Sequence, residues 1–199
     1  MKIYDISQEV FSCKVYTGDP APKKEIICSI NNGDLYNLTA FSMCAHNGTH
    51  IDAPSHFLNN GKTVTDIPLN RFIGMSYVAE HNGILSGADA QEILANANLI
   101  NPDCAKRILL KGDCTVSAQA ATVFANNGIW LLGVESQTVG PTETPMEVHK
   151  ILLTAEAVLL EGIRLSNVNT GAYFLSAQPL PLGNSDGAPT RAVLIDFNN

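Results

Sequence analysis

Apolar and polar positions follow two rhythms along the chain, one short and strand-like, the other alternating between strands and helices. In the first third, β-prone runs at residues 2–6, 25–30 and 38–44 are separated by Gly, Asp, Asn and Pro punctuation, and are expected to pair as a small sheet. A further strand is predicted over 76–80, then a turn at His81-Asn82-Gly83 and a helix over 89–97. Beyond it the pattern predicts a strand at 107–111, an amphipathic helix over 117–126 with Ser117 as N-cap and Gly128 as its stop, and a buried strand at 129–134. A helix over 146–155 follows Pro145, and strands are predicted at 157–161, 173–180 and 191–197. Strands alternating with helices imply a partly parallel sheet, so the predicted class is α/β with a mixed sheet and a β-rich N-terminal part. No internal repeat or linker divides the sequence, and residues 1–199 are expected to form one domain.

Charge narrows the partners. A formal net charge of −7, with 12 Lys and Arg and no basic block, argues against nucleic acid and against an anionic membrane surface. No stretch approaches the roughly 18 apolar residues of a membrane span, and Met1 to Ile6 is not followed by the apolar core of a signal peptide, so a cytoplasmic location is expected. The cysteines at 13, 28, 44, 104 and 114 are odd in number and contain no C-x-x-C pair, which suggests buried thiols rather than disulfides or a thiolate metal site. Cys44 alone, two residues before His46, is placed near chemistry.

That chemistry lies in the run Ala45-His46-Asn47-Gly48-Thr49-His50-Ile51-Asp52-Ala53-Pro54-Ser55-His56. Imidazole nitrogens and carboxylate oxygens are the ligands that zinc takes at about 2.0 to 2.2 Å. Gly48, β-branched Thr49 and Ile51, and Pro54 make a helix unfavourable, so a turn into an extended segment is predicted. In such a segment His50 and Asp52 project to the same side, while Gly48 lets the backbone bend His46 back toward them. Several imidazoles beside an Asp would be poor core material unless a cation or hydrogen bonds satisfied them, and no G-x-S-x-G elbow supports a serine hydrolase. Trp130 is expected in the core, Arg191 in a structural ion pair, and residues 183–189, rich in turn formers, in a surface loop of the kind that can line a site.

The run resembles the H-x-G-T-H-x-D-x-P-x-H signature of the cyclase-like metal-dependent hydrolases, a family that includes bacterial kynurenine formamidase and isatin hydrolase. The likeness extends to Tyr16-Thr17-Gly18-Asp19, similar to the family's Y-P-G-D segment with Thr17 in place of Pro. It extends also to Gly133-Val134-Glu135-Ser136, similar to G-V-D-S with Glu135 in place of Asp, and to His149 and Glu161 in a later segment. The resemblance implies that His46, His50 and Asp52 hold one ion, that Asp52 bridges to a second held by His149 and Glu161, and that His56 is the catalytic acid or base. It further implies a swivelling β/β/α-type fold, one or two Zn²⁺ ions with Mn²⁺ as the other candidate, and a homodimer or homotetramer. The implied activity is hydrolysis of a C–N amide bond in a small molecule, with an N-formyl aryl amine such as N-formylkynurenine as first substrate. Opening of a cyclic amide or lactone is the alternative enzyme reading, and a catalytically silent metal-binding protein the alternative of another class. Retention of His56 favours catalysis, because a purely structural site needs no spare imidazole beside it.

Overall fold

The computed structural model describes residues 1–197. The N-terminal region contributes β1 (Lys2–Asp5), β2 (Lys23–Cys28), β3 (Leu38–Ser42) and the short β4 (His50–Asp52). Next come β5 (Ile73–Glu80), β6 (Gly83–Leu85), α1 (Gly87–Ile100), β7 (Arg107–Lys111), β8 (Cys114–Val116) and α2 (Ala118–Asn126). The remainder consists of β9 (Leu131–Val134), α3 (Met146–Thr154), β10 (Val158–Glu161), β11 (Gly171–Ser176), β12 (Gly187–Pro189) and β13 (Val193–Asp196). Among the described residues no helix is long and apolar enough to cross a membrane.

Nine strands form one mixed sheet in the order β1-β13-β11-β5-β7-β9-β10-β4-β12. Its centre, β5-β7-β9-β10, is parallel, and the flanking strands pair antiparallel. The architecture is therefore the α/β class expected, with the mixed sheet in place. Parallel neighbours need crossovers, and α1, α2 and α3 supply them. All three helices bury their apolar stripes in the same cluster as Ile108, Leu110, Leu132, Val134 and Leu159. Alternate residues of the same strands, Leu109, Leu131, Val158 and Leu160, enter a second cluster with Ile6, Ile51, Phe72 and Leu194. Strands buried on both faces are apolar through their centres, which is why 108–110 and 157–160 read as continuous runs rather than alternations. Each such Leu or Ile contributes roughly 1.5–3 kcal/mol by leaving water. Gly133 sits where β9 crosses β7, and a Cβ there would stand 2.3 Å from a methyl of Leu109.

Helix starts are set locally. Ser117 accepts from the Ala120 N–H, as predicted, and Ser86 forms a capping box with Asp89 that starts α1 two residues before the predicted helix. Gly128, in the left-handed region at φ +63°, ends α2.

Several expectations need correction. The early runs do not make one sheet: β2 and β3 pair as a separate hairpin, and β1 joins the main sheet beside β13. The turn at 81–83 leads into β6, which pairs with β8, a strand too short to show in the pattern. The strand predicted at 173–180 begins at Gly171 and stops at Ser176. The loop predicted at 183–189 ends as β12, an edge strand hydrogen-bonded to β4. Only Cys104 and Cys114 are buried; Cys13, Cys28 and Cys44 are partly exposed free thiols. Trp130 is half-buried between the guanidinium groups of Arg71 and Arg107, each 5.1 Å from its ring. Arg191 makes the expected structural ion pair, its Nε donating to Asp5 at 2.9 Å.

Candidate metal centre

The site forms where β4 is inserted between β10 and β12 at the end of the sheet. Pairing of β4 with β10 sets His50 opposite Glu161 and Asp52 opposite Leu159. Directly opposed residues project to the same face. Leu159 belongs to the helix-side cluster, so His50, Asp52 and Glu161 all turn toward the helices. His149 completes the group from α3, on the buried stripe it shares with Leu152 and Leu153. Gly48, at φ +67°, turns the chain before β4 and lets His46 fold back over Asp52, as the sequence predicted.

Distances describe a compact cluster. His46 Nδ1 stands 2.8 Å from Asp52 Oδ1, and His50 Nε2 lies 3.3 Å from the same oxygen and 3.6 Å from Glu161 Oε2. His149 Nε2 lies 3.6 Å from Asp52 Oδ2 and 3.2 Å from Glu161 Oε1. The far nitrogens are already committed, His50 Nδ1 donating to Gly48 O at 3.0 Å and His149 Nδ1 to Pro145 O at 2.8 Å. Those bonds fix the tautomer and leave each Nε2 lone pair directed at the carboxylates, the arrangement metal-ligating histidines adopt. Glu161 is further held by the Val139 N–H, 2.8 Å from Oε1.

Asp52 and Glu161 are buried, and among the described residues their ion pairs are made only with histidines. Burial raises Glu161, reinforced by the charge of Asp52. Burial also works against charge on Asp52, but hydrogen bonds from His149, His46 and His50 hold it well below the usual carboxylate range. Two buried carboxylates with no Lys or Arg partner call for a cation. Ligands about 2.1 Å from a tetrahedral ion stand about 3.4 Å apart. Three of these pairs, His50 with Asp52, His149 with Asp52 and His149 with Glu161, at 3.2 to 3.6 Å, match that spacing better than they match good hydrogen bonds. His46, His50 and Asp52 form one such donor group, and Asp52, His149 and Glu161 a second, sharing Asp52. The donor set therefore fits one or two divalent ions.

Both groups open onto a cavity of about 260 Å³, walled also by Tyr16, Asp19, His56, Phe57, Gln137 and Thr138. His56 follows β4 in a single 3-10 turn begun by Pro54, and its ring stacks on His46 with centroids 4.0 Å apart. All six residues singled out in the sequence are thus brought together. Cys44 stays at the margin, its thiol 3.9 Å from Asp19. Thr17 lies in a neighbouring cleft with Glu135, whose carboxylate accepts the Gly112 and Leu165 N–H groups at 2.7 and 2.8 Å.

One residue at the site was missed. Asp186 Oδ2 lies 3.0 Å from both His46 Nε2 and His56 Nδ1. Its only signal was an acid inside a turn-rich segment, which most often marks an exposed loop.

Fold and site together define a metal-dependent hydrolase with a histidine-carboxylate centre at a sheet edge. The family model for Cyclase ("Putative cyclase") matches residues 4–141. The chain is 34% identical to a kynurenine formamidase of Salinibacter ruber, with 98% of each chain covered. A solved structure described as a potential metal-dependent hydrolase with cyclase activity superposes at a TM-score of 0.82, with 27% identity and 100% and 99% of the two chains covered. Isatin hydrolase A from Labrenzia aggregata shares the fold at a TM-score of 0.80 and 21% identity over 97% and 93% of the chains. This chain belongs to the Cyclase family.

Proposed function

We propose that the chain is an arylformamidase, cleaving the C–N bond of an N-formyl aryl amine, with N-formylkynurenine as the first candidate substrate. The observation that carries the reading is the meeting of two metal-ligand groups with a further imidazole, His56, around one small cavity. His46, His50 and Asp52 would hold one ion and Asp52, His149 and Glu161 the other. Zinc suits imidazole and carboxylate ligands, and Mn²⁺ is the main alternative. When bound, such an ion supplies Lewis-acid polarisation of the carbonyl and a more acidic water.

The chain's own side chains do the rest. His56 lines the cavity with Nδ1 engaged by Asp186, so proton exchange falls to Nε2, which takes a proton from the attacking water and returns it to the departing aryl amine. Tyr16 and Phe57 give the cavity aromatic walls suited to stacking an aryl ring, while Gln137 and Thr138 add polar edges. A formyl group is small enough to reach the ligand cluster, which suits a cavity of about 260 Å³.

The reading includes a cytoplasmic homodimer or homotetramer. In support, the β2–β3 hairpin exposes Ile26 at 64% and Phe41 at 58%, with Leu35 and Tyr36 beyond them. An apolar arm of this kind is normally covered in an assembly.

Turnover by zinc-reconstituted protein of N-formylkynurenine, simple formanilides, isatin and aryl lactones tests the assignment. Formamide cleavage that His56→Ala lowers by about 10²-fold or more, with metal retained, is the expected result. Preference for isatin or a lactone would move the substrate class, and activity indifferent to His56→Ala would remove its role.

A further inference from the structure

The geometry points to Asp186 as a positioning residue that sets the tautomers of two imidazoles at once, the metal ligand His46 and the acid-base group His56. This rests on the roles proposed above for those two histidines.

A carboxylate only accepts hydrogen bonds, so each ring nitrogen facing it must carry a proton. Asp186 Oδ2 stands 3.0 Å from His46 Nε2 and 3.0 Å from His56 Nδ1. His46 Nδ1 also faces a carboxylate, Asp52 Oδ1 at 2.8 Å, and shares a proton with it in the ion-free protein. When a cation replaces that proton, Asp186 keeps the remaining one on Nε2 and leaves the Nδ1 lone pair to the ion, while in neutral His56 it leaves the lone pair on Nε2. One is the atom that can bind a cation, and the other is the atom that can take a proton from water. Without Asp186 each ring is free to adopt the other tautomer, which is unproductive. The near-parallel stack of the rings, 29° between planes, is what lets a single oxygen reach both.

The backbone holds Asp186 for this task. Its carbonyl accepts the Ala53 N–H at 2.9 Å, the preceding Ser185 carbonyl accepts the Val64 N–H at 3.0 Å, and Gly187 pairs with Asp52 in the sheet. At Gly187 a Cβ would come within 2.5 Å of His46 Cε1, so the chain approaches the ring as closely as it can. The Asp186 side chain itself is 49% exposed. An ion pair so open to water contributes little to stability. A merely structural role would thus leave a weak trace in stability and none in turnover.

Asp186→Ala and Asp186→Asn, made in the full-length zinc-loaded protein beside His56→Ala, separate these accounts. The expected result for Asp186→Ala is a fall in kcat of about 10²-fold with KM little changed, and a fall in zinc affinity of about 10-fold by chelator competition. Acetate should restore part of the kcat, since the vacated position is open to solvent. Asp186→Asn keeps the shape and one acceptor oxygen but removes the negative charge and can turn its NH₂ toward the rings, so it is expected to lose kcat as well; it also serves if the alanine variant does not fold. ¹⁵N spectra of the imidazoles should show His56 losing its Nδ1–H form in both variants, a readout independent of turnover. Wild-type kcat and zinc affinity in Asp186→Ala, with an unchanged His56 tautomer, would overturn the proposal. If His56→Ala also retained full activity, the acid-base reading itself would fall; if only the Asp186 variants did, the positioning role alone would.

Discussion

His50 and Glu161 face each other across the antiparallel pairing of β4 and β10, with Nε2 and Oε2 3.6 Å apart. That separation is too long for a strong hydrogen bond, and it sets a ligand of one donor group beside a ligand of the other, with Asp52 shared between them. The register of two strands is therefore also the geometry of the metal centre.

Removing one ligand should expose this dependence. Glu161→Gln and His149→Ala are each expected to weaken binding of the ion shared with Asp52 by at least about 100-fold, more than the loss of an outer partner costs. Elemental analysis and chelator competition measure it, with His46 and His50 as the retained group.

The ion-free protein should be sensitive to alkali. Burial works against charge on His46 and His149, but hydrogen bonds to Asp52 and its neighbouring carboxylates raise them from 6.5 to about 9 and about 10. A folded pKa above the unfolded one stabilises fully below pH 6.5 and loses that contribution as pH rises through 9 to 10. The urea midpoint of chelator-treated protein should fall across this window. Zinc must displace the same protons, so its affinity should rise with pH and its binding should release protons, measurable by calorimetry in buffers of different ionisation enthalpy.

Glu135 ties two loops through backbone N–H groups of Gly112 and Leu165. Glu135→Ala is expected to cost about 2–3 kcal/mol in chemical denaturation, since hydrogen bonds to a charged acceptor contribute about 1.5–3 kcal/mol. Zinc affinity should hold, because Glu135 touches none of the ligands.

Charge placed on the hairpin should break the proposed assembly. Phe41→Glu, with Ile26→Lys as an independent change, is expected to shift the protein toward monomer in light scattering at fixed concentration. Wild-type mass in both variants would place the subunit interface elsewhere.

The early histidine cluster was legible because its geometry is local. Period-two alternation puts His50 and Asp52 on one face, and a glycine able to take positive φ returns His46 to them. Helix α2 was equally readable, its cap and its stop both lying within its own stretch. His149 and Glu161 each looked structural from their surroundings, a histidine on an amphipathic helix and an acid closing an apolar strand; only resemblance joined them to the cluster.

Their physical convergence depends on β10 pairing with β4, over a hundred residues apart in the chain. The same holds for Asp186, which reaches two imidazoles only because β12 adds itself to the free edge of β4. Residue type and periodicity decide which face a side chain takes, and those are properties of neighbouring positions. Which strand lies beside which is decided by the summed burial of the whole core, and no short stretch of sequence carries that sum.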